Sequence, residues 1–171
     1  GAPSEGAEVK FLDDGSVELR LGTESNGQGH ETAYSQIAAD HFGLPLDSFR
    51  YIQADTTLVR AGNGHGGARS MHMGGSALVA ALEAALTKAR PIAAQMLQAD
   101  EAVLEFTDGE FCVADSSRSV SLSEVARQAK GSLDSYERRE DAPFTLPSGS
   151  HVAEVEIDRD TGAIRLARYL M

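Results

Sequence analysis

The chain has 171 residues, of which 42% are hydrophobic and one is cysteine, and its formal net charge at pH 7 is −11. That length fits one domain with its own core, and the acidic balance argues against nucleic acid and anionic membranes, both of which attract basic surfaces. No stretch approaches the roughly 18 consecutive apolar residues of a membrane-spanning helix, so membrane insertion is not expected; the first residues lack a basic-then-apolar leader, and the expected compartment is cytoplasmic.

Gly1-Ala2-Pro3 reads as a linker or an appended stretch, and residues 4–171 as one domain. Residues 7–12 and 16–22 flank Asp13-Asp14-Gly15, a hairpin signal because Asp-Gly supplies positive φ at little cost. Gly27-Gln28-Gly29 then leads into a helix near 30–42, where Tyr34, Ile37, Ala38, His41 and Phe42 recur at helical spacing before Gly43. A short strand over 48–53 and a polar, glycine-dense loop over 54–70 follow. From Met71 to Ala99 the stripe Leu78, Leu82, Ala85, Leu86, Ala89, Ile92, Met96 predicts a long alanine-rich helix, which Pro91 is expected to kink or divide.

A second hairpin pairs 102–106 with 110–114 around Asp108-Gly109. Ser121-Leu122-Ser123-Glu124 has the form of a capping box and opens a short helix over 122–128. Residues 139–149 read as a long connecting loop, and the last hairpin pairs 151–158 with 163–170, with Ala153, Val155 and Ile157 expected on a buried face. Hairpins and helices in this order, without a regular βαβ repeat, predict an α+β fold: a mixed or antiparallel sheet packed against one long and two shorter helices.

Two glycine-rich loops, 26–32 and 62–70, each run into a helix. Such loops suit anions, because missing side chains let the backbone approach closely and free N–H groups at a helix start favour negative charge. The second loop adds the donor fork of Arg69 and the hydroxyl of Ser70. Neither loop has the strand-loop-helix context of a dinucleotide fingerprint, and no Gly-Lys-Ser/Thr is present.

At these loops the chain resembles a known family. Gly27-Gln28-Gly29-His30-Glu31-Thr32, with Gln36 to Asp40 and Gly43-Leu44-Pro45, resembles the Gly-Gln-Gly segment and following helix of molybdenum hydroxylase large subunits, of the xanthine dehydrogenase, aldehyde oxidase and carbon monoxide dehydrogenase type. Asp55-Thr56, Val59 and Gly64 to Ser70 resemble their second cofactor loop, and further matches are Leu104-Glu105-Phe106 with Asp108-Gly109, Ser119 to Leu122 with Glu124-Val125-Ala126, and Val155 to Asp158 with Thr161-Gly162. The resemblance implies a fragment of the molybdopterin-binding region of an oxidoreductase that oxidises an aldehyde, N-heterocycle or carbon monoxide with water as oxygen source. It implies a molybdenum–pterin cofactor, molybdopterin or its cytosine dinucleotide, contacted by Gly27, Gln28, Gly29, Gly66, Gly67, Ala68, Arg69 and Ser70. Gln28 would lie beside the metal without ligating it, and no residue of the chain would ligate the metal directly.

FAD and two-iron two-sulfur centres are implied on other domains or subunits, as is contact with the remainder of the molybdenum subunit and a small-molecule substrate. The chain departs from the family pattern at Ala54, Arg60, His65 and Ala68. It also lacks the Gly-x-Gly-Glu segment that carries the family's general base. No catalytic residue is therefore expected within it, and the fragment alone is expected to be inactive.

The other chemistry-bearing residues have plainer readings. His30-Glu31 lacks a second histidine at zinc-protease spacing, and His65 and His72 read as loop residues. His41 reads as a core or boundary histidine, Asp13, Asp14 and Asp108 as turn formers, and Cys112 as a small buried hydrophobe. Cys112 alone makes no internal disulfide, iron–sulfur cluster or thiolate zinc site. A noncatalytic α+β module that binds an anion or a partner, or a structural domain sealing a subunit interface, stands as the alternative.

Overall fold

The computed structural model describes residues 4–140, 146 and 148–171. Strands β1 (Glu5–Phe11) and β2 (Val17–Leu21) form the first hairpin, closed where Gly15 takes φ 87°. Helix α1 (His30–Phe42) starts at Gly29 and stops at Gly43, both left-handed, which is why glycine stands at both ends. Strand β3 (Phe49–Ile52) returns parallel to β2, as the intervening helix allows, and completes the order β3-β2-β1-β7 with β7 (Ser135–Arg139). The central strand β1 is antiparallel to both of its neighbours.

Alternation sorts β1 by face. Ala7 and Val9 join Val17, Leu19 and Leu21 in the core, whereas Glu8 on the other face meets Arg20 and Arg60. Glu5 shares the parity of Ala7 and is also buried, so a carboxylate faces inward at the strand's start.

Helix α2 (Ser76–Leu97) lies across this sheet. Ala77, Ala81, Ala85, Ala89 and Ala93, spaced by four, are fully buried and let the helix approach β1 and β7 closely. Of the expected kink or division at Pro91, the division does not occur: α2 continues through the proline. Pro91 and Thr87, whose carbonyl loses its usual partner at the proline, both lie on the exposed face, where water can replace that bond. The buried stripe also ends on Ala93 and Leu97, leaving Met96 exposed.

The second sheet, β4-β5-β6, comprises β4 (Leu104–Thr107), β5 (Glu110–Val113) and β6 (Ser119–Ser121), with Asp108 and Gly109 both at positive φ in the turn. Helix α3 (Leu122–Ala129) opens on the capping box: Ser121 Oγ accepts from the Glu124 N–H at 3.2 Å, and the Ser121 N–H donates to the Glu124 carboxylate at 3.0 Å. Cys112 is only partly buried, because its side of β5 is not fully covered. The α+β expectation holds, with one long helix, two shorter ones and a mixed sheet beside antiparallel ones.

Among the described residues, strands β8 (Val152–Ile157) and β9 (Ile164–Leu170) pair only with each other. The alternation is present, but the expected buried face is not: Val155, Ile157, Ile164 and Leu166 are all exposed. Of the predicted loop over 139–149, Arg139 closes β7, and residues 141–145 and 147 lie outside the described residues. Among the described residues no helix is long and apolar enough to cross a membrane.

Removing the α3 cap tests how much that local signal contributes. Ser121→Ala is expected to lower unfolding stability by about 1 kcal/mol in urea titrations.

Candidate functional site

The two glycine-rich loops meet at the N terminus of α1. Gly22, one residue past β2, lies so close to Gly62 that a Cβ added to it would fall 2.1 Å from the Gly62 Cα. No side chain fits between these backbones, and the start of the second loop is thereby held against the end of β2.

A hydroxyl relay reinforces the contact. Tyr34 of α1 donates to the Ser70 carbonyl at 2.8 Å, so its single proton is committed and Thr23 Oγ1, also 2.8 Å away, donates to Tyr34 Oη. Tyr51 of β3 donates to the Thr23 carbonyl. Burial raises both phenols, Tyr34 to about 12, which keeps the relay protonated. Gly74 accommodates the relay, since a Cβ there would lie 2.7 Å from Tyr34 Oη.

The second loop is anchored by a buried ion pair. Arg69 reaches Glu5 at 2.7 Å, the Gly64 carbonyl at 2.8 Å and the Ser4 carbonyl at 2.9 Å. Asn63 adds bonds to the Glu5 carboxylate and the Ser4 carbonyl. The guanidinium, read from the sequence as a donor to an anion, points into the protein and fixes the loop. Beyond it, Ser70–Gly75 forms a π-helical turn before α2, a distortion frequent beside functional sites.

Between the loops lies a cleft of about 400 Å³ lined by Gln28, His30, Ala33, His65, Ala68, Ser70 and Met71. It brings together Gln28, Ala68 and Ser70 from the sequence-based set. Gly27, Gly29, Gly66 and Gly67 lie in the exposed backbone of the same two loops, with nothing within 4 Å of where a Cβ would stand. Gly27, Gly29, Gly67 and Ala68 hold positive φ. Gln28 is exposed, its carbonyl accepting from the Asn26 N–H at 2.6 Å and from Ser25 Oγ at 3.3 Å, so the amide is folded onto its own loop. No side chain caps α1, so its first N–H groups have no side-chain partner at the N-cap.

His65 spans the loops, its Nε2 3.2 Å from Asn26 Nδ2. Because that amide nitrogen only donates, the assigned tautomer is Nε2 as acceptor. His30 is 2% exposed, and neither ring nitrogen makes a hydrogen bond of good geometry among the described residues. Burial lowers its pKa from 6.5, a weak hydrogen bond to the Thr23 backbone partly opposes this, and the nearby His65 adds a smaller lowering. From the sequence His30 is named within the Gly27–Thr32 motif and weighed for zinc, with no cofactor contact assigned to it; its place on the same turn as Ala33 and Tyr34, directly after Gly29, is the available signal. Among the described residues no group of three or more His, Cys, Asp and Glu is placed to hold a metal ion.

A sheet-and-helix scaffold thus presents two glycine-rich loops around the start of α1. The molybdopterin cofactor-binding domain family matches residues 1–171, and the chain belongs to it. It is 33% identical to the carbon monoxide dehydrogenase large chain of Hydrogenophaga pseudoflava, covering 95% of this chain and 21% of that one. It is also 33% identical to the 6-hydroxypseudooxynicotine dehydrogenase complex subunit gamma of Paenarthrobacter nicotinovorans, covering 91% of this chain and 21% of that one. Carbon monoxide dehydrogenase from Oligotropha carboxidovorans superposes with a TM-score of 0.82 at 32% identity, over 96% of this chain and 22% of that chain. The chain thus spans about a fifth of the length of these relatives.

Two measurements probe this geometry. Arg69→Met is expected to cost about 3–5 kcal/mol because it strands the Glu5 charge; Glu5→Leu/Arg69→Met, which removes both charges, is expected to cost less by the same urea titration. For His30 the folded pKa is depressed, so stability is full above its unfolded value of 6.5 and declines as pH falls below it until the folded group also protonates. The stability difference between wild type and His30→Leu is therefore expected to shift toward the variant as pH drops through that window; a difference independent of pH contradicts the burial of a neutral imidazole.

Proposed function

We propose that residues 4–171 form one domain of the molybdenum-bearing large subunit of a cytoplasmic oxidoreductase, and that the cleft between the two loops encloses part of a molybdenum–pterin cofactor. The observation that carries this reading is the convergence of Gln28, Ala68 and Ser70 on one cleft at the uncapped start of α1. A buried imidazole without a well-formed hydrogen bond in its wall and open space over the loop glycines fit a flat, polar ligand approached by backbone.

The bound group supplies the redox centre at which an aldehyde, N-heterocycle or carbon monoxide is oxidised with oxygen from water. The chain's own residues position and enclose it. The Gln28 amide, able to donate and accept, turns from its own loop toward the centre. The backbone N–H groups of Gly27, Gly29, Gly66, Gly67 and Ala68 and the Ser70 hydroxyl hold the pterin and its phosphate. Arg69 contributes by fixing the loop rather than by touching the ligand. The general base, the FAD and the iron–sulfur centres belong to the rest of the large subunit and to its partners.

The test is metal and pterin analysis of the full-length protein after maturation. Molybdenum and pterin near stoichiometric amounts are expected, and their absence rejects the reading in favour of a noncatalytic module. In the loaded enzyme Gln28→Ala is expected to lower kcat by at least about tenfold, the loss of one well-placed hydrogen bond, with unchanged molybdenum content; unaltered kinetics remove Gln28 from the site.

A further inference from the structure

His30 occupies an unusual position. It is the first residue of α1, where side chains lean toward the helix N terminus, and it therefore lies beneath the first glycine-rich loop. It is 2% exposed, lines the cleft, and packs against Tyr34 and Tyr51 with ring centroids 5.1 and 6.5 Å away. The hydroxyls of both tyrosines are already committed to Thr23 and Ser70. Neither Nδ1 nor Nε2 of His30 makes a hydrogen bond of good geometry among the described residues; the Thr23 backbone comes near enough to one of them for a weak one, and the other nitrogen has no partner at all.

Buried polar side-chain atoms are normally hydrogen-bonded, and an unpaired one costs stability. A histidine serving only to fill this space would be less favourable than an apolar residue of its size. The cost is offset if the imidazole acquires its partner when the cleft is filled.

We propose that His30 is a cofactor-contacting residue, one ring nitrogen hydrogen-bonding the polar edge of the pterin ring system in the cleft. This rests on the cofactor reading above and deepens it. The ring system is favoured over the phosphate by the surroundings. His30 packs against two aromatic rings and shares the cleft wall with Ala33, Ala68 and Met71, a setting that suits a flat heterocycle with alternating donors and acceptors. Burial also keeps the imidazole uncharged above 6.5, so it offers a phosphate no charge, whereas the α1 start and second-loop N–H groups do. His65, held by Asn26 across the loops, closes the same wall.

The experiment uses the full-length, cofactor-loaded protein and follows pterin release by the fluorescence of the liberated, oxidised pterin. His30→Phe keeps the ring packing and His30→Leu relieves it; both remove the two nitrogens. Each folded variant is expected to release pterin about tenfold faster than wild type, the equivalent of one hydrogen bond, and His30→Gln, which restores a donor and an acceptor, is expected to recover most of that loss. The cofactor-free forms of the apolar variants are expected to melt at or above the wild-type temperature, since they no longer bury an unpaired nitrogen. Release from either folded apolar variant at the wild-type rate overturns the assignment, as does a lowered melting temperature of the cofactor-free variants with unchanged release. Inorganic phosphate binding to the cofactor-free protein is expected to be indifferent to His30→Phe; a parallel loss of phosphate and pterin overturns the assignment to the ring system. A wild-type protein that carries no pterin rejects the cofactor reading itself, a result distinct from all of these.

Discussion

A carboxylate on an inward-facing strand position cannot remain buried and charged without a partner. Glu5 stands in that position at the start of the central strand, and Arg69, 64 residues further along, is the partner. The pair does more than neutralise itself. It draws the second glycine-rich loop onto the end of the sheet, where the same guanidinium and Asn63 also satisfy the Ser4 carbonyl and the Gly64 carbonyl is taken up. The loop backbone must then adopt a fixed path over Gly22, and its next residues, Ala68 and Ser70, are delivered to the cleft. A loop of many glycines has little conformational preference of its own; its geometry is imposed from outside by one ion pair and one close backbone contact.

The Thr23–Tyr34–Ser70 relay performs the same task on the other side, coupling the first loop and α1 to the second loop through hydroxyls kept protonated by burial. Rigid elements thus hold two loops whose exposed backbones remain free to meet a ligand. The division of labour is consistent: side chains that point inward fix the walls, and Gln28, Ala68 and Ser70 line the cleft.

What could be read from the sequence was local. The Asp-Gly turns, the glycines at both ends of α1, and the Ser121–Glu124 box each depend on residues a few positions apart, and the structure has all of them. What could not be read depends on distant partners. Strand β7, with the polar sequence Ser-Tyr-Glu-Arg-Arg, becomes a strand because β1 offers it an edge. The Arg69 guanidinium pairs with Glu5, 64 residues away in sequence, a partnership that no local pattern announces. The π-helical turn after Ser70 and the uninterrupted course of α2 past Pro91 likewise follow from packing and solvent exposure, which periodicity does not encode. The cleft itself was half legible: both loops stood out by composition, but His30 did not, because its significance lies in what it fails to contact.

The central claim is spatial, that the two loops face one molybdenum centre. Anomalous scattering at the molybdenum absorption edge from crystals of the full-length protein tests it directly. A single strong peak at the mouth of the cleft, within reach of the Gln28 amide and on the side of Ser70, is the predicted result. A molybdenum peak remote from both glycine-rich loops, or none in a matured and active preparation, contradicts it.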